Sequence, residues 1–295
     1  MTVVQSTMLF TIAGVICCTK PSESIDQDGD GDGYSELQGD CDDTDPSVVH
    51  FCGITLDPGT FEMGCSERQD DCSPDEVPLH TVSLSQRYEL GSIEVTQALF
   101  SNLMGFNPSY FKDCGLNCPV EYVSWNQAAE FTNRLSTIYG LESCFECSEG
   151  ACIPTKSPQD CTGFRLPTEA EWEFAARCGT DTLLAGSDNP DEVSWTVSNS
   201  EWRTHPVAQL SPNDCGFFDL SGNVWEWTWD VYDPDYYQYS PELDPTGPDE
   251  GEFHVYRGGG YANLPADARV SDRCADCHPF DTVNAVGLRV ARSLP

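Results

Sequence analysis

The sequence predicts an α+β domain with little regular secondary structure, cross-linked by disulfides. Three observations lead there. Sixteen cysteines occur in 295 residues. Short strand-like runs alternate with three capped helical segments, matching neither a repeat nor a helical architecture. The stretch from Pro212 to Asp230, PNDCGFFDLSGNVWEWTWD, sets Trp225, Trp227 and Trp229 at alternate positions. Period two is strand spacing, so the three indoles face one way and form a core or a wall.

Residues 8–18, MLFTIAGVICC, are apolar but too short to span a bilayer as a helix. They resemble a signal-peptide core, although the preceding segment has no positive charge. A cysteine ends the run, so a lipoprotein with Cys18 lipidated, ordinary secretion and no export are the readings to weigh. Residues 1–20 are assigned to this signal and 21–50 to an Asp-rich linker. Asp28, Asp30 and Asp32 stand at positions one, three and five of a calcium loop, with Gly33 at the turn. Gly39 replaces the closing glutamate, so this is no full EF-hand. Calcium binding is expected; a disordered acidic linker is the plainer alternative.

The domain occupies residues 51–295. GITLDPGTFEM, 53–63, reads as two strands around Asp57-Pro58-Gly59, and 80–90 as one strand. Thr96 caps a helix to about Met104. Ser124 and Gln127 form a capping box ahead of a helix with Ala128, Phe131, Leu135 and Ile138 on its buried face. Thr168 and Glu171 form another, opening a helix to about Arg177 whose buried stripe is Trp172, Ala175 and Ala176. Short strands are expected near 206–210, 224–228, 254–261 and 287–291.

Hydrophobic residues make up 39% of the chain, ordinary for a globular protein, and 49 acids oppose 14 bases for a net charge of −35. No basic stripe exists to neutralise phosphates, which excludes nucleic acid and anionic membrane surfaces as partners. Membrane contact is expected only through a lipid anchor. The charge favours cations. The clustered cysteines suit zinc in a reducing compartment or disulfides in an oxidising one, and the leader favours disulfides. For Cys274 and Cys277 a short-loop disulfide is the plain reading, free thiols or other partners the alternative, a metal site the remote one. There is no GxSxG, HExxH or P-loop.

Around Ser221-Gly222-Asn223, two carboxylates, Asp219 and Glu226, flank a tight turn with carbonyls that can wrap a hard cation. Two solvated acids is the alternative. The strings GFRLPTEAEWEFAARCG (163–179), GNVWEW (222–227), YRGGGY (256–261) and GLRVAR (287–292) resemble, in order, the motifs of the formylglycine-generating enzyme family of sulfatase-modifying factors. The resemblance covers about 53–295 and implies a compact C-type-lectin-like α+β fold. It further implies structural calcium held by the Asp219 side chain, the Gly222 and Val224 carbonyls and Glu226; Asn199 is the one candidate for a second site.

The active relatives oxidise a sulfatase cysteine with oxygen and a copper ion held by two cysteines spaced Cys-x4-Cys after the glycine strand. The matching positions are Asn263 and Ala268, and neither offers a thiolate. Copper chemistry is therefore not expected, and no catalytic residue is assigned. Arg165, Arg257, Arg269, Arg273 and Arg289 read as buried partners of acids. The alternative sets Arg269 and Arg273 with Tyr261 and Asn263 along the family's peptide cleft. The resulting expectation is an exported bacterial module, monomeric, that binds an unidentified peptide or small ligand in this cleft. A formylglycine-generating oxidase and an accessory subunit of a surface assembly are the alternatives.

Overall fold

A computed structural model describes residues 51–295. The leader and the Asp-rich segment, including Cys18, Asp28, Asp30 and Asp32, lie outside the described residues. The elements in order are β1 (Gly53–Leu56), β2 (Gly59–Met63), β3 (His80–Leu84), β4 (Tyr88–Gly91), α1 (Gln97–Met104), α2 (Trp125–Ile138), β5 (Phe145–Ser148), β6 (Ala151–Pro154), β7 (Phe164–Arg165), α3 (Glu169–Arg177), α4 (Pro190–Val193), β8 (Ser194–Trp195), β9 (Ser221–Gly222), β10 (Trp225–Val231), β11 (His254–Arg257), β12 (Arg273–Cys274), β13 (Val286–Leu288) and β14 (Ala291–Ser293). Two four-stranded sheets, β1-β4-β14-β7 and β12-β11-β10-β13, carry the frame. Helix, strand and abundant loop thus mix as expected.

The three helices expected from the sequence, α1, α2 and α3, begin where their caps stand. Thr96 accepts the Leu99 N–H, and both capping boxes close. Ala128, Phe131 and Leu135 are buried, but Ile138 at the last turn of α2 is exposed. The run 80–90 is two strands rather than one, broken after Leu84. No strand forms at 206–210. The strand expected over 254–261 stops at Arg257, because Gly258 and Gly259 turn it with φ of +97° and +74°. The run 287–291 divides between β13 and β14.

Strand β10 joins two cores. Trp225, Trp227 and Trp229 face a cluster built on α1 and α2. Glu226, Thr228 and Asp230 point the other way, towards α3, and are equally buried. Polar groups on this second face must therefore be matched. Trp172 Nε1 donates to Glu226 Oε2 at 2.8 Å, and the Glu169 N–H donates to Asp230 Oδ2 at 2.7 Å.

Five described disulfides close short and medium loops: Cys65–Cys72, Cys114–Cys118, Cys144–Cys161, Cys147–Cys152 and Cys178–Cys215. The cysteine-rich loop 144–161 is a hairpin, β5–β6, with one bridge nested inside another. Cys274 and Cys277 are thiols, so the disulfide expected for them is not formed.

His254 gives a pH prediction. Its ring stacks on Trp125 at 3.8 Å, and burial lowers its pKa to about 4. The unfolded chain takes up this proton at about 6.5. Between these values the unfolded state binds more protons, so this contribution to stability is present above about 6.5 and is lost as pH falls towards 4. The loss should reach about 3 kcal/mol. Urea titrations at pH 7 and 4.5 should show a smaller drop for His254→Gln than for the parent.

Candidate functional site

The turn Ser221–Asn223 sits over a cluster of buried carboxylates. Asp219, held at φ +56°, accepts the Ala208 N–H on Oδ2 at 2.7 Å. Both oxygens of Glu226 face Arg289, at 2.7–3.0 Å, and one also meets Trp172. A third acid, Glu94, comes from the loop before α1. Its Oε2 accepts from Asn223 Nδ2 at 2.7 Å and its Oε1 from the Val224 N–H at 3.1 Å. Burial, reinforced by Asp219 and Glu226, pushes Glu94 well above the usual carboxylate range. Burial also raises Asp219, to about 6.

Three carboxylates therefore share one guanidinium, and full ionisation leaves two negative charges unbalanced. A divalent cation beside Asp219 would remove that excess, so the site suits calcium in charge. In donor geometry the suit is partial. Glu226, expected as a ligand, is turned to Arg289 and Trp172. Among the described residues no three acidic, histidine or cysteine side chains group as metal ligands. Of the expected side-chain ligands, Asp219 keeps Oδ1 outside its bond to Ala208. Asn199, the other candidate, uses its side chain to bond the Thr196 N–H and the Ser194 carbonyl.

The segment 261–268 holds the two positions matched to copper cysteines. Asn263 Oδ1 accepts from Trp225 Nε1 at 2.9 Å. Ala268 is buried with Leu184 and Val193. Tyr261 lies edge-on to Phe111 at 5.1 Å, and Phe111 edge-on to Tyr110 at 4.9 Å. Ser200 Oγ donates to the Tyr261 carbonyl and accepts the Trp202 N–H, which ties a second loop to the segment. That loop places Glu201 and Trp202 at φ +56° and +60°, a conformation costly for residues with side chains, and leaves Trp202 64% exposed. Tyr110 and Leu264 are 67% and 60% exposed. These three exposed apolar side chains stand on the segment 261–264 or on loops that contact it.

Arg269 and Arg273 are not exposed with them. Arg269 is buried against Glu76, at 2.8–2.9 Å. Arg273 is buried against Glu169 at 2.6–3.0 Å and lies over the Tyr237 ring at 4.2 Å. A guanidinium held this way by a carboxylate is unavailable to a ligand, which removes both from the expected cleft. Arg165, Arg257 and Arg289 are likewise fully buried and paired with acids. Against the upward pull of burial, Arg273 and Arg257 hold Glu169 below the ordinary range.

Glu94 and Trp202 escaped the sequence reading. Glu94 is 129 residues from Asn223, and only an acid interrupting an apolar run hinted at it. Trp202 stands in a loop with no periodicity.

Residues 47–294 match the sulfatase-modifying factor enzyme 1-like domain, FGE-sulfatase. The chaperone protein LppX of Paenibacillus barcinonensis is 33% identical over 250 residues, which span 74% of this chain and 81% of that protein. The formylglycine-generating enzyme of Streptomyces coelicolor is 34% identical over 161 residues, but these span 49% of this chain and only 42% of the enzyme. Among solved structures, the Treponema denticola variable protein 1 superposes with a TM-score of 0.72 at 32% identity, covering 82% of this chain and 95% of that one. PvdO from Pseudomonas aeruginosa, at TM-score 0.66 and 22% identity over 82% of this chain and 94% of its own, shares the fold.

Proposed function

The chain belongs to the sulfatase-modifying factor enzyme 1-like family, and from that premise we propose that it is an exported, calcium-stabilised polypeptide-binding member without copper oxidase chemistry. The observation that carries this reading is the pair Asn263 and Ala268. A Cu(I) centre needs soft thiolate donors, and these positions supply an amide already bonded to Trp225 and a methyl group. The exposed Tyr110, Trp202 and Leu264 side chains are what remains for contact. Exposed aromatic residues of this kind anchor protein interfaces. A relative that bears the name chaperone supports a polypeptide as the ligand.

The disulfides support an oxidising compartment. Among the described residues no helix is long and apolar enough to cross a membrane. Calcium is proposed beside Asp219 and the Gly222 and Val224 carbonyls, with Glu226 as a buried counter-charge.

Metal analysis after loading with copper(I) and desalting tests the reading. Calcium should be retained and copper lost, and a cysteine-containing peptide should survive incubation in air. Tightly held copper with oxidation of that peptide would overturn it. Trp202→Ala should weaken binding of a reduced, carboxymethylated polypeptide about tenfold without changing the unfolding midpoint.

A further inference from the structure

Cys274 and Cys277 stand apart from the cysteines described as bridged. Cys274 lies opposite Tyr256 in the β11–β12 ladder. Its Sγ donates to Tyr256 Oη at 3.2 Å, and Cys277 Sγ lies 3.8 Å from the same oxygen. Both sulfurs thus converge on one phenol, which itself bonds Asp276. Cys274 is half-buried and Cys277 is buried in the main core. The order Cys274-Ala275-Asp276-Cys277-His278 is also that of a covalent haem anchor. His278 is exposed, but Cys277 is buried with its sulfur 3.8 Å from Tyr256 Oη, so the pair is not presented to a porphyrin.

We infer that Cys274 and Cys277 form a reversible thiol–disulfide site, closed by exchange with a small organic disulfide. The half-buried sulfur is the one an external molecule reaches, and the buried one resolves. Cys274 thiolate attacks one sulfur of the external disulfide, forms a mixed disulfide and expels the first thiolate. Cys277 thiolate then attacks Cys274 Sγ, closes the internal bond and expels the second. Two electrons pass from the cysteines to the external disulfide, and the two protons end on the two released thiols. In the reduced state Tyr256 occupies both sulfurs, so the thiols are satisfied without the bond.

Closure removes these contacts from Tyr256, whose ring lies edge-on to Trp225 and Trp227 at 5.2 Å each. Trp225 in turn bonds Asn263. The indoles therefore report the change. Burial, with Asp276 and Asp272, pushes the Cys274 thiol up to about 11, and burial with Asp276 pushes Cys277 up to about 12. Thiolate is scarce at neutral pH, so exchange is slow there and speeds about tenfold per pH unit. This separates the pair from the fast dithiols of oxidoreductases. The inference stands whatever the domain binds.

The test equilibrates the folded protein with oxidised glutathione and maps peptides after alkylation. The expected result is that Cys274 and Cys277 are alkylatable before treatment and form one Cys274–Cys277 bridge after it, with a shift in tryptophan emission. Cys274→Ser should abolish both changes. Should that variant fail to fold, the peptide map and the pH dependence of closure in the parent still decide. Thiols that stay open in the folded protein, a glutathione adduct that never resolves, or closure independent of pH would overturn the inference.

Discussion

Arg289→Met should destabilise the domain by about 3–5 kcal/mol, enough to consume much of the 5–15 kcal/mol typical of a folded domain. The guanidinium is fully buried and, among the described residues, is the one cation in contact with Glu226. It also donates to the Gly91 and Phe218 carbonyls, at 2.8 and 2.7 Å. Removing it leaves a buried carboxylate and two carbonyls short of partners, beside two further acids already hard to ionise. The loss should appear as a fall in the urea midpoint with little change in slope. Adding Glu226→Gln should restore part of it, because the stranded charge goes too. Glu94→Gln alone should cost far less, since the amide resembles the protonated acid that burial favours. If Arg289→Met is mild and Glu94→Gln severe, the charge is balanced elsewhere and the account of this cluster is wrong.

How far the sequence could be read follows from the range of each interaction. Caps and capping boxes at Thr96, Ser124 and Thr168 join residues three apart, and the structure contains all three. Alternation of tryptophans on β10 is equally local. The even-numbered face of that strand was less legible. Nothing in the string WEWTWD says that Glu226 and Asp230 are buried as deeply as the indoles, because their partners, Arg289 and α3, arrive from 63 and 61 residues away. Arg269 and Arg273 are buried partners of acids, as their main reading had it, but the partners themselves were illegible for the same reason. Arg269 finds Glu76 across 193 residues, and a motif that places an arginine does not say which way it points. Trp202 depends on a left-handed loop held by Ser200, which accepts the Trp202 N–H and donates to the Tyr261 carbonyl.

Cross-links decide the second large effect. Cys178→Ser with Cys215→Ser should cost about 4 kcal/mol, because the bridge closes a loop with a sequence separation of 37. The same change at Cys147 and Cys152, separated by 5, should cost about 2 kcal/mol. The bridge from Cys178 ties the end of α3 to the turn that Asn213 organises. Asn213 Nδ2 donates to the Ala175 and Ala176 carbonyls, and its Oδ1 accepts the Cys215 and Phe217 N–H groups. These contacts persist without the disulfide, so the variant should fold, with a lower melting temperature. Cys178 ends its helix at φ +46°, a conformation that costs a residue with a side chain about 1 kcal/mol. Cys178→Gly with Cys215→Ser should therefore recover about that much relative to the serine pair. Equal losses at the long and short bridges would mean that native contacts at the sulfurs, rather than restriction of the unfolded chain, supply the stabilisation.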